Sequence, residues 1–159
     1  MNKENLRAQI ITRLETDHAL LLQAAKAAHA AASHNENIPD NKYDTRGLEA
    51  SYIAQGQANR AEEIRQALQA FQQLTLQTFS AMSPIRLTAL VQLKDDEGRS
   101  RLVFLGPAAG GLRLEFDKEK IMVITPASPL GRKLIGKQCG DLIELEIGTV
   151  REYEIASVY

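Results

Sequence analysis

Tryptophan is absent from this chain, cysteine occurs once, and no apolar run is long enough to cross a bilayer. The lone Cys139 excludes an intramolecular disulfide and a cysteine-based metal site, and we expect it to be a small buried apolar residue. The first residues lack the apolar core of a secretory signal. The formal net charge is only −1, which argues against broad electrostatic binding of nucleic acid or anionic lipid. We therefore expect a soluble, cytoplasmic protein with no membrane attachment and no strong nucleic-acid binding of its own.

Glycine and proline are scarce in the first half of the chain. There they occur only as Pro39, Gly47 and Gly56, whereas both become frequent in the second half. These residues punctuate turns, so the change marks a transition from long helices to short elements. We predict two domains on this basis, over residues 1–79 and 80–159.

Apolar residues of the first half recur at spacings of three, four or seven, which is the period of an amphipathic helix. The first stripe comprises Leu6, Ile10, Leu14, Leu21, Ala25, Ala28 and Ala32. The second stripe comprises Leu48, Tyr52 or Ile53, Ile64, Ala67 or Leu68, Phe71 and Leu74. Neither helix can bury its stripe alone, so we predict that the two fold against each other as an antiparallel coiled-coil hairpin. Arms of roughly 30 residues would give a rod about 45 Å long.

A polar segment over residues 33–44 separates the two stripes. Pro39 ends the first helix, and Asp44 with Thr45 offers an N-cap for the second. The tip of the hairpin is therefore expected near residues 33–49. Its acidic residues are Glu36, Asp40, Asp44 and Glu49. Each of them alone would cap or solvate a helix turn, but together they place carboxylates at the end of a rod. The three histidines are not spaced to share a metal, so no metal site of the protein's own is expected.

Short β-prone runs alternate with turn residues in the second half of the chain. The runs cover residues 85–93, 101–105, 112–116, 121–125, 141–147 and 150–158. We predict a small antiparallel sheet with one short helix, which Ser128 caps, Pro129 begins and Gly136 stops. No catalytic triad, phosphate-binding loop or dinucleotide fingerprint occurs, which favours a binding scaffold over an enzyme. The predicted fold class is α+β, with a helical hairpin followed by this sheet domain.

One stretch of the second half carries a specific resemblance. Residues 125–137, TPASPLGRKLIGK, followed by Gly140-Asp141 and by residues 151–155, REYEI, resemble the C-terminal domain of bacterial Gre transcript-cleavage factors. The resemblance implies an FKBP-like sheet domain joined to an N-terminal coiled-coil hairpin, which agrees with the layout predicted from periodicity. It also implies RNA polymerase as the partner, with the hairpin in the secondary channel and its tip near the RNA 3′ end.

The resemblance further implies roles for individual residues. Asp44 and Glu49 are the nearest counterparts of the family's acidic pair, which is directed at the Mg²⁺ of the polymerase active site. The protein would then be an accessory factor with no cofactor of its own, not an enzyme. In this chain the two acids are five residues apart, whereas the family spaces them three apart; Ala50 and Tyr52 fit the family pattern. Partner contacts are expected at Tyr52, Ser128, Pro129, Leu130 and Arg132.

Several functions are compatible with these features. A factor of this build stimulates cleavage of backtracked RNA, or it occupies the channel without cleavage and inhibits or modulates polymerase. The alanine-rich stretch over residues 24–32 also suits an oligomerising structural protein, although we expect a monomer or weak oligomer. A prolyl isomerase is disfavoured, because its pocket needs an aromatic floor and this domain contains no tryptophan.

Overall fold

A computed structural model describes residues 1–33 and 45–159 of the chain. Two long helices come first, α1 over Lys3–Ser33 and α2 over Arg46–Gln72. Neither these two nor any other described helix is long and apolar enough to span a bilayer. The predicted α+β architecture is confirmed, since the helices are followed by a sheet with one short helix.

The chain divides into two compact units. We call Ile11–Gln69 the helical unit, and we call Met1–Ile10 together with Ala70–Tyr159 the sheet unit. The first turns of α1 and the last turn of α2 therefore belong to the sheet unit. The division predicted between residues 79 and 80 lies after α2 and before the first strand, within the sheet unit.

In the helical unit, the positions that are not exposed recur every three or four residues on both helices. On α1 they are Ile11, Leu14, Asp17, His18, Leu21, Ala25 and Ala28, and on α2 they are Gly47, Ala50, Ala54, Gln57, Ala61, Ile64, Ala67 and Leu68. This spacing is that of coiled-coil packing.

An electrostatic interaction also joins the two helices. Hydrogen bonds, mainly from Arg65, lower the pKa of Glu62 on α2 to about 2, and the nearby charge of His18 on α1 lowers it further. The two helices thus form the predicted hairpin.

The packed face at the start of α2 differs from the prediction. Leu48 and either Tyr52 or Ile53 were expected to be part of the apolar stripe, but all three are exposed, by 53%, 68% and 58% respectively. Instead, Ala50 is half-buried and Ala54 is buried. Small side chains on both helices let the backbones come close, so the larger side chains of this turn point away from the packed face.

Six strands form one sheet in the order β3-β4-β2-β1-β6-β5. They are β1 (Leu90–Asp95), β2 (Ser100–Leu105), β3 (Arg113–Phe116), β4 (Glu119–Ile124), β5 (Leu142–Ile147) and β6 (Thr149–Val158). Each overlaps a predicted run. Four pairings are antiparallel as predicted, but β2 and β4 pair in parallel, so the sheet is mixed. The parallel pair arises because the chain leaves β2, forms the edge strand β3, and returns to lie beside β2.

Both faces of the sheet are covered. On one face the short helix α3 (Pro129–Leu134) adds the fully buried Leu134 to an apolar cluster. That cluster comprises Ile85, Ala89, Val91, Leu93, Val103, Leu105, Ile124, Leu134, Ile143, Leu145, Tyr153, Ile155 and Val158. On the other face the end of α2 packs through Phe71, whose ring centroid is 6.4 Å from that of Phe104. Cys139 is half-buried against the cluster, close to the expected environment.

Lys3 ties the first turn of α1 to the rest of the sheet unit. Its Nζ donates to the main-chain oxygens of Gln77, Thr88 and Tyr159 at 2.5, 3.1 and 2.9 Å, and it lies 4.5 Å from the centroid of the Phe79 ring. Burial lowers the pKa of Lys3 to about 8. Thr88 has φ +77°, an uncommon value for a β-branched residue, which explains why β1 begins after it and not at the predicted position.

Candidate functional site

The segment that carries the family resemblance folds into a capped turn followed by α3. The Oγ of Ser128 accepts a hydrogen bond from the Gly131 amide at 3.0 Å and donates one to the Thr125 carbonyl at 2.7 Å. The Ser128 amide donates to the same carbonyl at 3.0 Å, and Pro129 occupies the start of the helix. The predicted serine cap and proline start are confirmed. Gly136, with φ +82°, follows the end of α3 as predicted.

Gly131 is held against the capped turn more closely than any other residue type would allow. A Cβ added to Gly131 would lie 1.9 Å from the Thr125 oxygen and 2.9 Å from the Ser128 Oγ. Real Cβ atoms do not approach backbone atoms that closely, so this position requires glycine. Sequence reasoning missed this role, because the close approach depends on how the turn folds back onto the helix.

The residues predicted to contact a partner at this turn differ in exposure. Pro129 and Arg132 are exposed, Ser128 is half-buried, and Leu130 is half-buried where it packs against the apolar cluster. Ile135, which was not singled out from the sequence, is an exposed large apolar residue at the end of the helix. We call Pro129, Arg132 and Ile135 the α3 surface. It presents one cation and two apolar side chains to solvent.

The start of α2 is the second place where predicted site residues meet. The Glu49 amide donates to the Thr45 carbonyl at 2.9 Å, and the Thr45 Oγ1 donates to the Glu49 Oε1 at 3.3 Å. Glu49 is exposed and lies in the first turn, where a carboxylate interacts favourably with the helix dipole. Its local role is therefore to stabilise the start of its own helix. Asp44 lies outside the described residues, as do Glu36 and Asp40.

Tyr52 follows Glu49 by three residues and lies beside it on the helix surface. Leu48, four residues before Tyr52, is also exposed. The start of α2 thus presents a carboxylate, a phenol and an aliphatic side chain to solvent. These residues belong to the helical unit, whereas the α3 surface belongs to the sheet unit.

Within the described residues, no group of three or more His, Cys, Asp or Glu side chains could hold a metal ion. Proteins usually bind Mg²⁺ through one or two carboxylates, with water and phosphate oxygens completing the shell. Glu49 therefore fits as one ligand to an ion that other groups also hold. It does not form a resident metal site by itself.

No protein-family model matches the sequence, and no curated protein is similar to it. Among solved structures, GreA factor homolog 1 (Gfh1) of Thermus thermophilus is 20% identical, with 94% of each chain covered and a TM-score of 0.39. Gfh1 of Thermus aquaticus is 22% identical, with 96% of this chain and 92% of that chain covered and a TM-score of 0.40. This chain is similar in fold to Gre-type factors.

A third similar structure is the prokaryotic transcription elongation factor GreA/GreB from Nitrosomonas europaea. It is 17% identical, with 60% of this chain and 78% of that chain covered and a TM-score of 0.36. The likeness to these structures concerns the fold alone.

Proposed function

We propose that this protein is a transcription elongation factor that binds RNA polymerase and reaches its secondary channel with the α1–α2 hairpin. The observation that carries the proposal is the segment over residues 125–137. It resembles the Gre C-terminal domain in sequence, and its cap and its obligatory Gly131 fix the shape of the turn. The same two-part layout, a helical hairpin and a sheet with one short helix, supports it. Such a factor acts in the bacterial cytoplasm.

The α3 surface suits a protein partner. Arg132 has no carboxylate partner within the described part of the chain, and Pro129 and Ile135 lie close to it in sequence as exposed apolar groups. Interfaces are enriched in arginine, which pairs bidentately with carboxylates, and in apolar side chains that can be desolvated. A complementary surface on polymerase would combine an acidic residue with an apolar patch. Two half-buried residues hold this surface in place: Ser128 caps the helix, and Leu130 packs against the apolar cluster.

Glu49 gives the hairpin its chemical role in this proposal. An exposed carboxylate in the first turn of α2, together with Asp44, would hold a Mg²⁺ that polymerase and RNA phosphates also bind. When bound, such an ion would supply the positioning and activation of water for in-line attack on the RNA backbone. The protein is then an accessory factor that has no cofactor of its own and completes the active site of polymerase.

A second candidate is a channel occupant that does not stimulate cleavage and that inhibits or modulates polymerase. The hydrogen bond from Thr45 to Glu49 favours it, since it directs the carboxylate toward its own helix. The five-residue separation of Asp44 and Glu49 favours it as well. In this role the exposed Tyr52 and Leu48 contact the channel wall, and the acids contribute solubility and helix capping.

Binding to purified bacterial RNA polymerase, measured by fluorescence anisotropy of the labelled full chain, tests the proposal first. We expect saturable binding that Arg132→Glu weakens by about tenfold, because charge reversal removes an interface cation and adds a repulsive anion. The matched control is Arg113→Glu, which changes an exposed arginine on the edge strand β3. Absence of binding, or equal effects of both substitutions, would refute docking through the α3 surface. A stable dimer in sedimentation without polymerase binding would support the oligomerising structural protein instead.

RNA 3′-end cleavage in backtracked elongation complexes separates the two candidate roles. If Glu49 supplies a metal ligand, Glu49→Ala and Asp44→Ala each lower the cleavage rate by about tenfold or more. The control Glu15→Ala removes an exposed carboxylate from α1 and leaves the rate unchanged. If the native protein binds but produces no cleavage and slows extension, it is an occupant of the channel. Binding with no effect on either cleavage or extension would refute both roles.

A further inference from the structure

A polar cleft lies at one end of the sheet in the sheet unit. None of its lining residues belongs to the α3 surface or to the helices α1 and α2. Its volume is about 270 Å³, and it is lined by Asp95, Arg99, Ser100, Arg101, Arg151 and Tyr153. We call it the arginine cleft, because three of its six lining residues are arginines. Arg99 and Arg101 come from the β1–β2 turn and the start of β2, and Arg151 comes from β6, fifty residues further along the chain.

Strand register explains why these side chains converge. Arg101 pairs with Leu93 across β1 and β2, and Asp95 pairs with Tyr153 across β1 and β6. Leu93 and Tyr153 belong to the apolar cluster, and alternate residues of a strand share a face. Arg151, two residues before Tyr153 on β6, therefore lies on the same face. The arginine cleft continues the core face of the sheet beyond the point where its apolar residues end.

The one carboxylate that lines the cleft is fully engaged by its own turn. The Oδ1 of Asp95 accepts hydrogen bonds from the amides of Glu97 and Arg99, at 3.1 and 2.9 Å, and its Oδ2 accepts one from the Arg99 Nε at 2.8 Å. The Asp95 side chain is only 3% exposed. Arg99 also pairs with Glu97 at 3.1 Å. Arg99 is therefore shared between the carboxylates of Asp95 and Glu97, and both Asp95 oxygens are already hydrogen-bonded within the turn.

Arg101 and Arg151, by contrast, have no carboxylate partner among the residues that the structure describes. The Arg101 guanidinium lies 5.7 Å from the centroid of the Tyr153 ring, within the range of a cation–π interaction. Tyr153 is only 5% exposed, so the core fixes the ring that Arg101 lies over. The carboxylates on the neighbouring strand positions, Glu152 and Glu154, alternate onto the opposite face of β6. The cleft thus holds two unneutralised guanidinium groups, one of them already oriented.

We propose that the arginine cleft binds the phosphate groups of a small diphosphate ligand. Guanidinium groups pair bidentately with phosphate oxygens, and two unneutralised cations facing one cavity favour an anion of more than one charge. The volume of about 270 Å³ is slightly below the roughly 300–1,000 Å³ typical of sites that enclose a whole drug-sized ligand. The cleft therefore has room for the phosphates and leaves any organic part of the ligand outside. A free diphosphate and a nucleoside diphosphate share this chemistry.

Isothermal titration calorimetry of the full chain with inorganic pyrophosphate tests the proposal. We expect saturable binding that weakens about tenfold or more in Arg101→Gln and in Arg151→Gln, since each removes a charge-assisted hydrogen-bond donor. Arg113→Gln, the matched change of an exposed arginine on β3, leaves the affinity unchanged. Arg101 and Arg151 lie near strand ends with exposed side chains, and circular dichroism of each variant verifies that it folds. In NMR spectra, the amide chemical-shift changes on addition of pyrophosphate should be largest in the β1–β2 turn and at the start of β6.

A second titration with a nucleoside diphosphate identifies the source of the phosphates. Similar affinity for both probes assigns the site to the free anion, and tighter binding of the nucleotide assigns it to a nucleotide ligand. The proposal is overturned if neither probe saturates the protein, or if the Arg101→Gln, Arg151→Gln double variant binds as well as the native chain. Tighter binding of an acidic peptide than of pyrophosphate would also overturn it. These measurements need no polymerase, so their failure leaves the proposed polymerase contact unaffected.

Discussion

The substitution Gly131→Ala should disrupt the capped turn that precedes α3. The added Cβ would lie 1.9 Å from the Thr125 oxygen, and this separation must open to at least 3.0 Å before the contact becomes acceptable. The Thr125 carbonyl oxygen is held in place, because it already accepts hydrogen bonds from the Ser128 Oγ at 2.7 Å and from the Ser128 amide at 3.0 Å. A change of side-chain rotamer therefore cannot relieve the clash. The backbone of the turn must move, and its hydrogen bonds must break.

The magnitude follows from the interactions that must be given up. Loss of an N-cap costs about 1 kcal/mol, and loss of a backbone hydrogen bond costs about another 1 kcal/mol. Strain that persists in the displaced turn adds to both. We expect Gly131→Ala to lower the free energy of unfolding of the sheet unit by about 2–3 kcal/mol. Ser128→Ala, which removes the cap without a clash, should lower it by about 1 kcal/mol.

Urea denaturation monitored by tyrosine fluorescence measures this loss, since two of the four tyrosines, Tyr153 and Tyr159, lie in the sheet unit. Amide hydrogen exchange gives the local readout, because the Arg132 and Ile135 amides donate to the Ser128 and Gly131 carbonyls. Their exchange should accelerate in Gly131→Ala. A variant as stable as the native protein, with protected amides in α3, would refute the close approach of Gly131 to Thr125.

Three further substitutions or conditions test other parts of the fold. Gly56→Ala should raise the stability of the helical unit by about 0.5–1 kcal/mol in urea denaturation followed by circular dichroism, because the site is helical with open space around it; a loss of stability would contradict this. Gly106→Ala should lower the stability of the sheet unit by about 1–3 kcal/mol, because its Cβ would lie 2.8 Å from the Cζ of the fully buried Phe71; an unchanged urea midpoint would contradict the packing. The pKa of Lys3 in the folded protein is about 8, below its unfolded value of 10.5. Between pH 8 and 10.5 the unfolded state therefore binds more protons than the folded state, and the free energy of unfolding should rise with pH. Urea midpoints measured across this range should show a rise that is absent in Lys3→Met; an equal rise in the variant would contradict the assignment.

Most elements of this fold could be predicted from local sequence features. The alternation of apolar and polar residues located five of the six strands to within two residues at each end, and Ser128, Pro129 and Gly136 fixed the short helix between them. These features act over a few residues, so the chain itself displays them. The exception is β1, which begins five residues after the predicted start because Thr88 takes a left-handed conformation that the apolar run does not reveal.

The candidate site was predicted only in part. The resemblance at residues 125–137 led to the capped turn, but it did not distinguish the exposed Arg132 from the half-buried Leu130. Periodicity left Tyr52 and Ile53 as alternatives for the packed face of the hairpin, whereas the structure exposes both. Several positions at similar spacing could form that face, and the close approach of the two backbones selects the small ones.

The sequence by itself determined the type and order of the elements, because helix caps, turn residues and hydrophobic periods are local properties. Only the tertiary structure decided the parallel pairing of β2 with β4, the need for glycine at position 131, and the meeting of Arg101 with Arg151 in one cleft. Each of these depends on which distant segments lie side by side. Strand alternation is the same for parallel and antiparallel neighbours, and a residue's sequence context does not show which backbone oxygen or which other charge will face it after folding.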